Sequence, residues 1–333
     1  MSNNKPFHLV IPDYITDDLE PEKGVVGDIA RLSALGATNE DQLVGRIEDA
    51  DAIMLWHELY ITRKTIERLE KCRVIARCGV GYDNVDGQFA RERGIAVVNV
   101  PDYGSEEVAD SALAMTLALT RGVFRMASQA RAGVGPWSYT PLIPQTRIRG
   151  EVFGVVGLGR IGTAAALRAK AFGFDVIFYD PYLPDGADKA LGIRRVETLD
   201  ELLGESLVVS LHCPATEETN KMIDAAAMKK MRKGAFLVNT ARGVIVDTHA
   251  VPEALESGHL NGVGLDVLEQ EPPAEDHPLM VAWRDPDHPA HHRLIVNQHI
   301  AFYSEQGLLD IRTKAATACR RAFLDMPLRN VVN

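Results

Sequence analysis

Short apolar runs alternate with helical patterns along the first hundred residues of the chain. Four of these runs read as strands, at residues 8–11, 52–56, 74–78 and 96–100. Between them, residues 39–49 and 62–70 have the pattern of helices, with Asn39 and Thr62 placed to cap the helix N-termini. The alternation predicts a parallel α/β layer.

A long helical stretch follows at residues 105–132, and it is too apolar for a freely solvated helix. We therefore expect it to pack in the core or against a second subunit. A second series of apolar runs then reads as strands, at residues 152–156, 175–179, 207–211, 235–239, 262–265 and 294–297. Their spacing predicts a full doubly wound sheet, and residues 304–324 read as one final amphipathic helix.

The strand predicted at residues 152–156 runs into a glycine-rich turn and then into a helix that begins near Arg160. Gly157, Gly159 and Gly162 give the turn its G-x-G-x-x-G spacing. The first glycine makes a tight turn, the second lets the backbone approach a pyrophosphate, and the third lets the helix pack on the strand. Because the helix N-terminus presents N–H groups to phosphates, the pattern predicts a dinucleotide site.

Asp180 follows the strand predicted at residues 175–179. A carboxylate there can accept hydrogen bonds from the ribose hydroxyls, and it would repel a 2′-phosphate. No arginine follows immediately, since the next residues are Pro181 and Tyr182, so the sequence favours NAD over NADP. The alternative is a strand-end acid that begins an Asp-Pro turn.

Composition excludes several classes of function. The 333 residues carry a formal net charge of −10 with no concentrated basic patch, which argues against nucleic-acid or anionic-membrane surfaces. Neither an export signal nor a membrane-spanning run is visible, so we expect a cytoplasmic protein. Four scattered cysteines predict reduced thiols.

The irregular spacing of His277, His288, His291 and His292 favours a solvated loop over a metal site, and we predict no metal.

Three polar segments follow predicted strands, where an α/β enzyme carries its chemistry. They contain Arg242, Glu271 and His299. Oxidation of a secondary alcohol with NAD needs a base for the hydroxyl proton and a cation for a carboxylate or carbonyl. His299 can supply the base, Glu271 can stabilise its charged form, and Arg242 can supply the cation. Taken singly, each residue also has a purely structural interpretation.

These motifs resemble the NAD-dependent D-isomer-specific 2-hydroxyacid dehydrogenases over nearly the whole chain. The resemblance rests on residues 157–162, 238–243 and 264–267, on Glu271-Pro272 and on His299. It implies that Arg242, Glu271 and His299 form the catalytic triad, with His299 as the proton donor when a 2-keto acid is reduced. The cofactor-binding residues that it implies are Gly157, Gly159, Arg160, Ile161, Gly162, Asp180, Cys213, Pro214, Thr219, Thr240, Ala241, Arg242, Asp266 and His299.

The resemblance also implies two doubly wound, Rossmann-like α/β domains with the active site in the cleft between them, and a homodimer. Residues 1–103 with 304–333 would form the substrate-binding domain, and residues 104–303 the NAD-binding domain. Val80 and Gly81 match the loop whose N–H groups receive the substrate carboxylate. With Arg242 and His299, Phe302 would complete the substrate site. Within the family the chain looks most like the C-terminal binding protein branch. That branch typically has tryptophan at the position of Phe302.

We therefore expect an NAD-dependent reductase of a small 2-keto acid, running in either direction. The alternative is an interaction protein of the C-terminal binding protein type, in which NAD(H) controls assembly. The chain stops at Asn333 soon after the last helix, and this favours the enzyme. A phosphoglycerate dehydrogenase is a weaker alternative, because no arginine cluster for a phosphate stands in the substrate half. The sequence does not identify the acid.

Overall fold

The computed structural model describes residues 6–333, which form an α/β structure with two parallel sheets. The strands are β1 (Phe7–Ile11), β2 (Ala30–Ala34), β3 (Ala52–Leu55), β4 (Val74–Arg77), β5 (Ala96–Asn99), β6 (Val152–Val156), β7 (Asp175–Tyr179), β8 (Arg194–Arg195), β9 (Val208–Leu211), β10 (Ala235–Asn239), β11 (Leu260–Leu265) and β12 (Leu294–Val296). The helices are α1 (Glu20–Val26), α2 (Arg63–Ile66), α3 (Gly87–Glu92), α4 (Ser105–Thr120), α5 (Val123–Ala132), α6 (Arg160–Ala171), α7 (Ala187–Leu191), α8 (Leu199–Glu205), α9 (Ala225–Lys230), α10 (Val251–Glu256), α11 (Pro278–Arg284) and α12 (Glu305–Phe323).

The chain divides into two compact units, each built on one sheet. The first contains the described residues up to Gly104 together with Ser304–Asn333, and the second is Ser105–Tyr303. Strand order is β2-β1-β3-β4-β5 in the first sheet and β12-β11-β10-β9-β6-β7-β8 in the second. Both orders are doubly wound, with a switch point beside β1 and beside β6 respectively. The predicted fold class is confirmed.

One of the two cores of the first unit lies between its sheet and α12. Inward residues of the strands, such as Leu9 and Ala76, pack with Ile311 and Cys319 of α12. Strands buried on both faces read as continuous apolar runs, which is why the sequence signal was clear. The carboxyl-terminal helix therefore completes the fold of the amino-terminal strands.

The second unit buries its sheet between two layers of helices. On one side, α4 and α6 pack against the strands through residues such as Ala112, Leu119 and Ala165. Gly264 of β11 allows this close packing, because a Cβ there would lie 3.1 Å from Met115 Sδ. Among residues 6–333, no helix combines the length and apolar character needed to span a membrane.

The ten predicted strands are confirmed within two residues at each end, and two strands were missed. Both β2 and β8 lie at sheet edges and carry arginines, so they lack a continuous apolar run. Two predicted helices were too long. Asn39 and Thr62 do cap helical turns, but only a 3₁₀ turn, Glu40–Leu43, and the short α2 follow them.

The helix predicted over residues 105–132 is two helices. Gly122 breaks it between α4 and α5 by adopting φ +67°, a left-handed conformation that a helix cannot continue through. The two halves also differ in burial. Helix α4 is packed in the core, as predicted, whereas none of the residues of α5 is buried.

Candidate active site

The glycine turn joins β6 to α6 at the switch point of the second sheet, and its three glycines have different surroundings. Gly157 has φ +87°, and a Cβ there would lie 2.7 Å from the main-chain nitrogen of Cys213. A Cβ on Gly162 would lie 2.1 Å from the carbonyl oxygen of Gly157. Nothing lies within 4 Å of a Cβ built on Gly159. Two glycines are therefore required by packing, and the middle one faces open space.

Helix α6 begins directly at this open space. Gly159 is its N-cap, and no side chain of the described residues caps the first turn, which contains Arg160 and Ile161. A twelve-residue helix with an uncapped N-terminus presents donors and a positive dipole end to an anion. The turn and the helix together fit a bound pyrophosphate.

Asp180 is held beside the glycine turn. Its Oδ2 accepts a hydrogen bond from Leu158 N at 2.9 Å, and its Oδ1 accepts one from Tyr182 N at 3.0 Å. These contacts fix the carboxylate at the carboxyl end of β7, where a ribose would lie. Arg195 also reaches this segment from β8 and donates to the carbonyl oxygens of Asp180 and Leu183, at 3.2 and 3.0 Å. Sequence reasoning missed this arginine because it considered only the residues directly after Asp180.

The segment after β9 lies against the glycine turn through Cys213, as described above. Thr219 Oγ1 donates to the carbonyl oxygen of Pro214 at 2.7 Å and gives the segment a fixed shape. Burial raises the pKa of the Cys213 thiol to about 11, so it is protonated near neutral pH. The cysteine therefore lines the site as an apolar group.

The turn after β10 is fixed by Asn239. Its Nδ2 donates to the carbonyl oxygen of Arg242 at 2.8 Å, and its Oδ1 accepts from Ala241 N at 3.0 Å. Thr240 Oγ1 is buried and has no hydrogen-bond partner among residues 6–333. Because a buried hydroxyl normally has a partner, this atom fits a bound group that supplies one.

Glu271 and His299 form a close pair. His299 Nδ1 lies 2.7 Å from Glu271 Oε2, and Glu271 Oε1 accepts from Leu268 N at 2.8 Å. Partial burial raises the pKa of Glu271, but the hydrogen bond and charge of His299, the Leu268 N–H and the charge of Arg242 outweigh it and lower this pKa. The carboxylate is therefore ionised near neutral pH and can stabilise an imidazolium.

Asp266 shapes the loop that carries His299. It is 1% exposed, and its two carboxylate oxygens accept from Ile300 N and Ala301 N at 3.1 and 3.0 Å. Its own carbonyl oxygen accepts from His299 N at 2.8 Å. His299 adopts φ +56°, a conformation that a histidine rarely takes without such support. The sequence assigned Asp266 to the cofactor and missed this positioning role.

Phe302 lies beside the imidazole, with its ring centroid 6.1 Å from that of His299 and the two planes nearly perpendicular. In the first unit, Val80 and Gly81 lie in the loop after β4. Asn99 Nδ2 donates to the carbonyl oxygen of Val80 at 2.6 Å. Each of these predicted substrate residues therefore has a defined position within its own unit.

The histidine-rich segment is packed rather than solvated, which corrects that expectation. His291 Nδ1 contacts the carbonyl oxygen of Trp283 at 2.7 Å, and His292 Nδ1 contacts Ser128 Oγ at 2.8 Å. His288 Nδ1 accepts from Ala290 N at 3.0 Å. The half-buried rings are thus used as hydrogen-bonding groups of the fold.

A different polar cluster lies near the loop of Glu271. Asp247, His249 and Glu269 place one possible ligand atom each within 4.8 Å of one another. The ammonium group of Lys221 already lies 3.6 Å from Asp247 and 3.7 Å from Glu269. This lysine offsets one of the two negative charges, and the cluster by itself does not define a metal site.

Sheet order, glycine turn and strand-end acid define a dinucleotide-binding α/β protein. The model of the D-isomer specific 2-hydroxyacid dehydrogenase family, NAD binding domain, matches residues 113–301. The chain therefore belongs to the D-isomer specific 2-hydroxyacid dehydrogenase family, and its second unit, Ser105–Tyr303, contains the matched NAD-binding domain.

Three relatives illustrate the similarity. The D-3-phosphoglycerate dehydrogenase of Methanocaldococcus jannaschii is 36% identical over 80% of this chain and 50% of its own length. C-terminal-binding protein 1 of Caenorhabditis elegans is 33% identical over 92% of this chain and 42% of its own length. The D-lactate dehydrogenase of Aquifex aeolicus, solved with NAD and lactic acid, superposes with a TM-score of 0.83 at 28% identity, covering 95% of each chain. The chain thus spans about half the length of the first two relatives or less.

Proposed function

We propose that the protein is an NAD(H)-dependent D-2-hydroxyacid dehydrogenase that reduces a small 2-keto acid or runs the reverse reaction. The observation that carries the proposal is the 2.7 Å contact between His299 Nδ1 and Glu271 Oε2, on loops of the NAD-binding domain. A carboxylate on Nδ1 orients the ring so that Nε2 can exchange a proton with substrate. The family membership and the NAD-bound lactate dehydrogenase relative support the same activity.

The residues divide the work between cofactor and substrate. When bound, NAD(H) supplies or accepts the hydride at C2 of the substrate. The glycine turn and α6 hold the pyrophosphate, and Asp180 holds the adenosine ribose. His299 gives the proton from Nε2 to the carbonyl oxygen at C2 during reduction, which completes the hydroxyl group. Glu271 stabilises the imidazolium before this transfer, and Arg242 orients the substrate carboxylate.

The substrate side of the proposal rests on the sequence motif. We assign the N–H groups of Val80 and Gly81 to the substrate carboxylate, because the glycines on both sides of Val80 let the backbone approach an anion. Phe302 limits the space around the side chain of the acid, and its phenyl ring is smaller than the tryptophan typical of the C-terminal binding protein branch. These assignments, the preference for NADH over NADPH and the cytoplasmic location stay predictions.

Steady-state kinetics with NADH and a panel of 2-keto acids tests the function. The panel should include pyruvate, larger apolar acids and a phosphorylated keto acid, because one relative is a phosphoglycerate dehydrogenase. We expect turnover of about 10 per second with at least one acid. If no acid consumes NADH faster than it does with a His299→Ala variant, the enzymatic assignment is wrong.

The second candidate is an interaction protein whose assembly depends on NAD(H). The similarity to C-terminal-binding protein 1 over 92% of this chain favours it. The two candidates differ in a simple measurement, since an interaction protein would change its assembly state with NADH and show no turnover. Light scattering with and without NADH, run beside the kinetic assay, separates them.

We also propose a homodimer formed through α5 and the loop that follows it. None of the residues of α5 is buried, and Trp137, Tyr139 and Ile143 are 99%, 74% and 63% exposed. So many large apolar side chains in one segment are typical of a surface that a partner covers. Light scattering should give twice the 36.5 kDa of a single chain. A monomer at micromolar concentration would contradict the proposal.

A further inference from the structure

A cavity of about 400 Å³ lies at the amino-terminal edge of the second sheet. Its walls include Leu207, Gly234, Asn261 and Arg293, which stand at or just before the starts of β9, β10, β11 and β12. Arg242 and His299 follow the opposite ends of β10 and β12. A five-residue parallel strand is about 16 Å long, so the cavity is separate from the proposed catalytic residues.

The lining of this cavity is basic. Arg125 of α5, Arg232, Lys233 and Arg293 all contribute to the walls, and His292 lines a smaller cavity that shares Arg125 and Arg293 with it. No lining residue of either cavity, within residues 6–333, carries a carboxylate. Such a concentration of positive charge is unusual in a chain whose formal net charge is −10.

Two of these four cations, Arg125 and Arg293, are not neutralised by any carboxylate of residues 6–333. Arg232 pairs with Glu151 at 2.5 Å, but the guanidinium of Arg293 donates only to carbonyl oxygens, those of Pro289 and Leu255. Arg125 has no hydrogen-bond or ion-pair partner in the part of the chain that the structure describes. Within one chain, two half-buried guanidinium groups thus share one cavity, and residues 6–333 provide no counter-ion for them. Because Arg125 belongs to α5, the cavity lies beside the surface that we assign to a second copy.

Burial and mutual repulsion affect the pKa values of Arg125 and Arg293. Burial lowers the pKa of Arg125, and burial together with the charge of Arg125 lowers the pKa of Arg293. Each group is therefore less stable in its charged form than it would be in water. An anion between them would relieve both effects, because it replaces lost hydration and opposes the repulsion between like charges.

We propose that this cavity is a binding site for a small, multivalent oxyanion, either a phosphate group or a di- or tricarboxylate. Arg125 and Arg293 provide the charge, and the cavity has the size of a small-molecule site. Gln145 and Asn261 line both cavities and add amide donors. Bound there, the anion joins α5 to the strand starts of β11 and β12.

Isothermal titration of the full chain with inorganic phosphate, and separately with citrate, tests the proposal. Saturating NADH keeps the glycine turn filled, and sodium chloride holds the ionic strength constant so that general screening does not change. We expect saturable binding of at least one anion. Arg125→Ala should weaken it about tenfold or more, as expected for the loss of a charge-assisted hydrogen bond.

Arg284→Ala is the control, because Arg284 is exposed in the last turn of α11, outside the proposed dimer surface, and does not line either cavity. It should leave the affinity nearly unchanged. Lys233→Ala removes an exposed cation from the cavity wall and gives a second test if the Arg125 variant does not fold. Binding that no cavity variant weakens would overturn the proposal, as would the absence of binding of both anions. Binding that appears only in a parallel titration without NADH would also overturn it, because the anion would then occupy the cofactor site.

Discussion

At the scale of single residues, the proposed chemistry depends on His299 and on the groups that hold it. Glu271 fixes one ring nitrogen, and Asp266 supports the left-handed backbone of the loop. Sequence reasoning selected the histidine and the glutamate as candidates because both follow apolar strands. It missed the support from Asp266, because a carboxylate that binds main-chain N–H groups two loops away has no local sequence signal.

Replacement of His299 by alanine should lower kcat by about 10² to 10⁴, since it removes the group that exchanges the proton. The affinity for NADH should change little, because the glycine turn and Asp180 stay in place. His288→Ala is a suitable control, since His288 is a half-buried histidine in another loop. Stopped-flow kinetics measure kcat, and fluorescence titration measures the affinity for NADH. An unchanged kcat would show that His299 does not transfer the proton.

Replacement of Asp180 by alanine should narrow the preference for NADH over NADPH, because the carboxylate that repels a 2′-phosphate is lost. Absolute affinity for both cofactors should also fall, since Asp180 Oδ2 holds Leu158 N of the glycine turn. The ratio of kcat/KM values is therefore the informative quantity. Asp175→Ala, at the exposed opposite end of β7, should leave the ratio unchanged. An equal ratio in both variants would exclude Asp180 from cofactor selection.

At the scale of elements, the strand, turn and helix around Gly157 form a unit whose glycines have separable roles. Gly162→Ala should destabilise the fold by about 1–3 kcal/mol, because its Cβ would meet the carbonyl oxygen of Gly157. Gly159 has φ −71°, and nothing lies within 4 Å of a Cβ built on it. Gly159→Ala should therefore leave the stability of the fold unchanged and weaken NADH binding instead. Thermal unfolding and NADH titration distinguish the two. Equal losses of stability in both variants would contradict these roles.

The predicted strands were more accurate than the predicted helices, and the reason is physical. Strands such as β6 and β10 were predicted with the correct first and last residues, because burial on both faces requires an unbroken apolar run. Helices were overestimated where a cap was correct but the following turns were not continued, as after Asn39. The break at Gly122 was missed because a single glycine is tolerated within many helical patterns.

At the scale of the whole molecule, sequence reasoning predicted that the last helix returns to the amino-terminal strands. The contact of α12 with β3 and β4 is a long-range feature that periodicity alone does not contain. The basic cavity is also formed by long-range contacts, and sequence reasoning did not predict it. Its arginines are far apart in the chain, at positions 125, 232 and 293, so no basic run marks them.

The return of α12 is secured by one buried cation, Arg312. Its guanidinium contacts Glu22 at 2.7 Å and Asp17 at 2.6 and 2.8 Å, and Glu22 is 0% exposed. Arg312→Ala leaves this carboxylate buried without a partner, which should cost about 3–5 kcal/mol. Arg320 lies on the same helix as Arg312 and forms an exposed ion pair with Asp28. Arg320→Ala breaks this exposed pair and should cost far less stability.

Thermal unfolding and hydrogen exchange of α12 measure this difference, and pH gives a further check. Hydrogen bonding to Arg312 lowers the pKa of Asp17 in the folded state, so the native state binds fewer protons than the unfolded state. The stability that this pair contributes is complete above the unfolded pKa and is lost as pH falls through the folded one. The gap in stability between the wild-type chain and Arg312→Ala should therefore narrow on acidification. A gap that widens on acidification, or equal exchange of α12 in both chains, would show that Arg312 does not anchor the helix.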